Sequence, residues 1–256
     1  MQRTENNFKR TVVVSGASKG IGRALAIGFS RKDWRVVLIA RGEEGLYETL
    51  KRLDQNVDGH LIQPCDISIW TDCQNAADRV SQQCGYINLL VNNAFGVGEK
   101  SLGEMDPGDI HDFFETSVTG TVLLTKAMLP LLADGNRATA SKSQIINIVA
   151  DWGFPMHNVM TGTPTYVSGK YAVHGFGVAL HKETAPLGIN VTNIYPGIVA
   201  SSLDIDDSLE QLRINFGETA IPLQDLVTSV LATTELKSSV VRHLVLSPDN
   251  PTYNGL

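Results

Sequence analysis

Tyr166 and Lys170 stand four residues apart in the run Tyr166-Val167-Ser168-Gly169-Lys170. On a helix that spacing puts both side chains on one face. An ammonium beside a phenol favours the phenolate and lowers the tyrosine pKa from about 10. A phenol tuned in this way gives a proton to a substrate oxygen, or takes one from it, near neutral pH. A core aromatic beside an unrelated surface lysine has the same spacing, so the pair gains meaning only from its surroundings.

A second constellation supplies them. Val14-Ser15-Gly16-Ala17-Ser18-Lys19-Gly20-Ile21-Gly22-Arg23 joins an apolar run to an amphipathic one. Glycine is needed where a chain turns tightly and where backbone must approach a pyrophosphate. The helix that follows offers free N–H groups and a positive dipole end to the anion. A plain strand-to-helix turn also uses glycine; the elements on either side favour the phosphate site. NAD sites carry an acid near the end of the second strand for the ribose 2′-hydroxyl. Here that region reads Leu38-Ile39-Ala40-Arg41-Gly42. Ala40 is no acid, and Arg41 and Lys19 are cations, which favours the 2′-phosphate of NADP(H). Both cations are also of the type that decorates any surface.

These motifs, with those further along, resemble the short-chain dehydrogenase/reductase family. Ser15–Gly22 resembles its Thr-Gly-x-x-x-Gly-x-Gly turn, with Ser for Thr. Cys65-Asp66-Ile67 resembles the segment whose Asp contacts adenine. Asn92-Asn93-Ala94-Phe95-Gly96 resembles Asn-Asn-Ala-Gly, with Phe95 as an extra residue. Tyr166–Lys170 matches Tyr-x-x-x-Lys, and Tyr195-Pro196-Gly197-Ile198-Val199-Ala200-Ser201 resembles the Pro-Gly segment that holds the nicotinamide. The resemblance implies that Gly16, Ser18, Lys19, Gly20, Ile21, Gly22, Arg41, Asp66, Ile67, Asn93, Ala94, Tyr166, Lys170, Pro196, Gly197 and Val199 contact the cofactor. It also implies that Lys170 bonds the nicotinamide ribose.

The family's catalytic set is Asn, Ser, Tyr and Lys, and this chain departs at two of the four. Ser117, in Ser117-Val118-Thr119-Gly120, stands for the Asn that supports a water in the proton relay. A hydroxyl also holds a water, with a different reach. Ala150, in Asn147-Ile148-Val149-Ala150-Asp151-Trp152-Gly153, stands at the Ser position. Alanine has no donor to polarise a carbonyl, and losing one such donor costs on the order of 10²–10³ in rate. Thr161, Thr163, Thr165 and Asp151 are the conceivable replacements, although Asp151 better suits capping or turning the loop. Trp152, Phe154, Pro155 and Met156 suit either an apolar substrate pocket or packing.

The elements that must position these residues are legible as alternation. Runs at 11–14, 35–40, 61–65, 88–91, 144–149, 189–194 and, as a candidate, 240–246 are rich in Val, Ile and Leu and do not alternate with polar residues. Strands buried on both faces read this way. Between them lie helical patterns: Ile21, Leu25 and Phe29 on one stripe, and longer segments at 109–132 and 166–185. The expectation is a single α/β domain with a doubly wound, mostly parallel seven-stranded sheet and helices on both faces. The irregular, acidic segment 201–217 is expected to act as a mobile substrate lid.

Composition narrows the classes. With 256 residues and a net charge of −6, the chain shows dispersed basic residues rather than the clustered face of a nucleic-acid binder. Cys65, Cys73 and Cys84 lack ligand spacing, as do His157, His174 and His181, so no metal is expected. No unbroken apolar run reaches the roughly 18 residues of a membrane span, and the opening decapeptide is polar, which suggests a cytoplasmic protein. The resemblance implies a homodimer or homotetramer, the dimer pairing the helices at 109–132 and 166–185. It also implies a small carbonyl or alcohol as substrate. Three activities stay open: NADP(H)-dependent oxidoreduction, non-redox acid/base chemistry at Tyr166, and cofactor binding with little turnover.

Overall fold

In the first strand, β1 (Thr11–Ser15), every residue is buried. Alternate side chains point to opposite faces of a sheet. Val12 and Val14 accordingly join one apolar cluster, with Leu25, Phe29, Leu226 and Val230, while Val13 joins the other, with Val80, Leu124, Met128 and Leu132. A sheet covered on both faces follows directly. The computed structural model describes residues 10–96, 100–139, 141–155 and 163–250.

The other strands are β2 (Arg35–Ala40), β3 (Leu61–Pro64), β4 (Leu89–Asn92), β5 (Ser143–Ile148), β6 (Ile189–Pro196) and β7 (His243–Leu246). All seven pair parallel in the order β3-β2-β1-β4-β5-β6-β7. The order reverses between β1 and β4, where a doubly wound sheet opens a crevice beyond its strand ends. Helices α1 (Gly20–Ser30) and α8 (Leu223–Thr234) cover one face. Helices α3 (Trp70–Cys84), α5 (Gly120–Thr139) and α6 (Pro164–Thr184) cover the other. The remaining helices are α2 (Glu43–Leu50), α4 (Pro107–Phe114) and α7 (Leu209–Phe216).

Most element ends shift by one or two residues from the sequence expectation, and three differences are larger. The segment expected at 109–132 begins at Pro107 and runs to Thr139, interrupted by a π turn at Glu115–Thr119. The seventh strand begins at His243, not at 240. Half of the expected lid is helix: Ser208 caps α7 by accepting from the Gln211 N–H at 3.2 Å, and Leu212 is buried. By length and composition Pro107–Thr139 would also pass as a membrane span, although polar residues break its apolar runs. Half of its most apolar 18-residue window is buried, and Leu124, Met128 and Leu132 lie in the core.

Candidate active site

The turn after β1 is held from below. Ser15 Oγ donates to the Val91 carbonyl at 3.2 Å and accepts from the N–H groups of Asn93 and Ala94 at 3.0 and 3.1 Å. The Asn93 amide in turn donates to the Ser15 carbonyl at 3.0 Å. A hydroxyl at position 15 is thus the peg that joins the ends of β1 and β4. Gly16 has φ +65°, and a Cβ there would meet Asn93 Nδ2 at 2.8 Å. A Cβ on Gly22 would collide with the Gly16 carbonyl, so Gly22 is buried behind the turn and lets α1 approach β1. The Ala17 N–H reaches the Ile39 carbonyl at 3.1 Å, fixing the turn to β2 as well.

A cavity of about 1070 Å³ opens above this turn. Of the residues expected at the cofactor, Gly16, Ser18, Lys19, Gly20, Ile21, Arg41, Asp66, Ile67, Asn93 and Ala94 line it. Lys19 caps α1 in extended backbone, and α1 has no acid in its first turn to compete with an anion. Asp66 Oδ1 accepts from Ser68 N and Oγ at 3.0 and 2.7 Å, which sets the carboxyl at the end of β3. The dimensions, the glycine cradle and the cations fit the phosphate-bearing part of a dinucleotide.

Sequence reasoning missed part of this wall. Arg52 lines the cavity, as do Ser201, Leu203, Asp204 and Asp207 from the segment after β6. Arg52 forms an ion pair with Asp204, and Arg31 makes a two-point pair with Asp206 at 2.8 and 2.6 Å. Nothing in the spacing of Arg52 marks it; only the docking of α2 beside α1 brings it there. Arg23 is spoken for locally, donating to the Ser18 carbonyl and to Thr49 Oγ1.

Tyr166 and Lys170 share a face of α6 but do not line the cavity. Lys170 is only 4% exposed. Its Nζ donates to the Ile148 carbonyl at 3.2 Å and lies 3.5 Å from the centroid of Phe95 and 5.4 Å from that of Tyr166. Loss of water around the ammonium pushes its pKa down to about 7. The positive charge expected beside the phenol is therefore itself costly where it sits. The Tyr166 ring is packed edge-on against Phe95 (5.4 Å) and Trp152 (5.7 Å).

Ser117 is fully buried within the π turn, and its Oγ accepts from the Gly96 N–H at 2.9 Å. That places it under the Phe95-Gly96 bend rather than at an open relay position. Ala150 has φ +112°, in a region favoured by glycine. Asp151 is buried, and its Oδ1 accepts from the Trp152 N–H at 2.8 Å, a loop-turning contact. Thr163 precedes α6, Thr165 is buried in its first turn, and Thr161, Met156 and His157 lie outside the described residues. Phe154 packs on Tyr195 at 4.9 Å rather than lining the cavity. Pro196 ends β6, the Gly197 N–H reaches the Leu246 carbonyl at 2.8 Å, and Val199 bridges to Ile221. None of these three lines the cavity, although Ser201, close behind, does. His174 Nδ1 lies 2.7 Å from Tyr195 Oη, so it is engaged in packing on the sheet.

Residues 10–211 match the family model described as short chain dehydrogenase. Sulfoacetaldehyde reductase 2 of Chromohalobacter salexigens is 26% identical over 250 residues, spanning 95% of this chain and 96% of that protein. The NADPH-dependent pterin aldehyde reductase of Arabidopsis thaliana is 26% identical over 195 residues, 76% of each protein. Among solved structures, a variant of actinorhodin polyketide ketoreductase with NADPH is similar with a TM-score of 0.78 and 25% identity, over 96% of this chain and 98% of that one.

Proposed function

Because the chain belongs to the short chain dehydrogenase family, we propose that it transfers hydride between NADP(H) and a carbonyl or activated double bond of a small organic substrate. One observation carries the cofactor choice: Lys19 and Arg41 stand on the cavity wall, with Ala40 where an NAD site has its acid. When bound, the coenzyme supplies or accepts the hydride. Tyr166 gives the substrate oxygen its proton in reduction and takes it back in oxidation. Lys170 sits beneath it, held by the Ile148 carbonyl. Ala150 offers no hydrogen bond to the reacting oxygen, so the substrate arrives already polarised, as in an enone, quinone or iminium. The substrate is a small carbonyl or alcohol, the location cytoplasmic, and the assembly a homodimer or homotetramer.

Calorimetry with NADPH and NADH tests the cofactor: Arg41→Ala weakens NADPH by about tenfold or more and leaves NADH nearly unchanged. Equal losses for both would remove the case for the 2′-phosphate. NADPH consumption across a carbonyl panel, abolished in Tyr166→Phe, tests the chemistry. A second reading, coenzyme binding with little turnover, is favoured by the Phe95 ring on Lys170 and by the commitment of Ser117 to Gly96. Tight NADPH binding without consumption over the whole panel would select it.

A further inference from the structure

Among the described residues, the cavity is lined at this end by Phe95 and Thr116 and by none from α6. Beyond Phe95 lie Lys170 and Tyr166, which the proposed reaction needs at the nicotinamide end. The Phe95 ring lies 3.5 Å from the Lys170 ammonium and edge-on to Tyr166. Its position is built in from several sides. Phe113 packs against it at 5.3 Å, and Ser117 Oγ fixes the next residue through the Gly96 N–H. Gly169 leaves the room: a Cβ there would meet Phe113 Cε1 at 2.8 Å and Phe95 Cζ at 3.2 Å. Phe95, between Ala94 and Gly96, brings its ring to this point, and Ser117 Oγ holds the bend through the Gly96 N–H.

We infer that Phe95 is a gate that closes the Tyr166–Lys170 end of the cleft, so that the dinucleotide binds in two stages. This rests on the proposed binding of NADP(H). The adenosine-phosphate half docks in the open cavity at no cost to the ring. The nicotinamide half reaches Tyr166 and Lys170 only after the ring leaves the ammonium. A desolvated cation over an aromatic face is among the stronger contacts of its type. The apparent affinity for the whole dinucleotide is then reduced by the fraction of time the gate stands closed, while that for the adenosine half is not.

The test pairs two ligands with two proteins. Calorimetry is run with 2′,5′-ADP and with NADPH on the wild type and on Phe95→Ala. The gate requires unchanged 2′,5′-ADP affinity and roughly tenfold tighter NADPH in the variant. Unchanged or weaker NADPH binding in Phe95→Ala, with 2′,5′-ADP still bound equally by both, overturns the gate and leaves the proposed function standing. Failure of the wild type to bind either ligand overturns both together. If Phe95→Ala does not fold, Phe95→Leu fills the space without an aromatic face and must still tighten NADPH selectively. The wild type gives its own readout through Trp152, 5.7 Å from Tyr166. In stopped flow, NADPH must show a second, concentration-independent phase in tryptophan emission that 2′,5′-ADP lacks. A single phase with both ligands counts against the gate.

Discussion

Lys170 is asked to be charged beside Tyr166 and is buried where charge is expensive. The pH dependence of stability records that conflict. Its folded-state pKa, about 7, lies below the ordinary 10.5, so the unfolded chain binds more protons between those values. Stability contributed by this group therefore rises as pH climbs from about 7 toward 10.5. Tyr195 acts in the opposite sense: burial pushes its pKa up to about 12, so above about pH 10 the folded state holds a proton that the unfolded chain loses. Denaturant melts across that range should show a rise followed by a fall, and Lys170→Met should flatten the rise and stabilise the protein at pH 7. A wild-type curve with no slope between pH 7 and 10 would contradict the buried-amine reading. Ala150 is the second stressed residue. Its backbone region costs about 1–3 kcal/mol for a residue with a Cβ. Ala150→Gly should raise stability by about 1 kcal/mol after glycine's entropy is subtracted, seen as a higher melting temperature. Residue types at motif positions were legible in the sequence for a simple reason: the turn, the Asp66 segment and the Tyr–Lys spacing are local. The consequences of Phe95 and Arg52 were not, because they depend on which helix comes to lie against them.

At the scale of elements, close packing leaves its own signature. A Cβ on Gly28, in the last turn of α1, would collide with Val227 Cγ1 of α8. The two helices approach at that point because one of them has no side chain there. Valine is stiff at χ1, so it does not swing away cheaply. Gly28→Ala should destabilise by about 1–3 kcal/mol despite alanine's higher helix propensity, and adding Val227→Ala should return most of it. Equilibrium unfolding of the single and double variants checks this, and additivity would mean the helices are not in contact as described. The strands were readable because a strand covered on both faces is mostly apolar, even where β5 and β6 bury Gln144, Asn147, Thr192 and Asn193. The π turn at Glu115–Thr119 was not, because the apolar spacing of the flanking helices runs through it unbroken. Helix α7 was hidden by the polarity of its surroundings: of its eight residues only Leu212 is buried.

For the whole molecule, the outer faces of α5 and α6 carry Val122, Tyr171 and Val178, which are 37%, 38% and 43% exposed. A homodimer through those helices would cover them. Light scattering should return two or four times the chain mass, and Val178→Glu should halve it while leaving the circular dichroism spectrum intact; a monomeric wild type would reject that assembly. The strand order has a consequence for how the protein is made on the ribosome. β2 adds beside β1, β3 beside β2, and then β4, β5, β6 and β7 add one after another on the opposite margin. Each newly emerged strand finds its template already waiting at a free border. No strand ever has to be threaded between two that have already zipped together, so the sheet can be completed in the direction of translation.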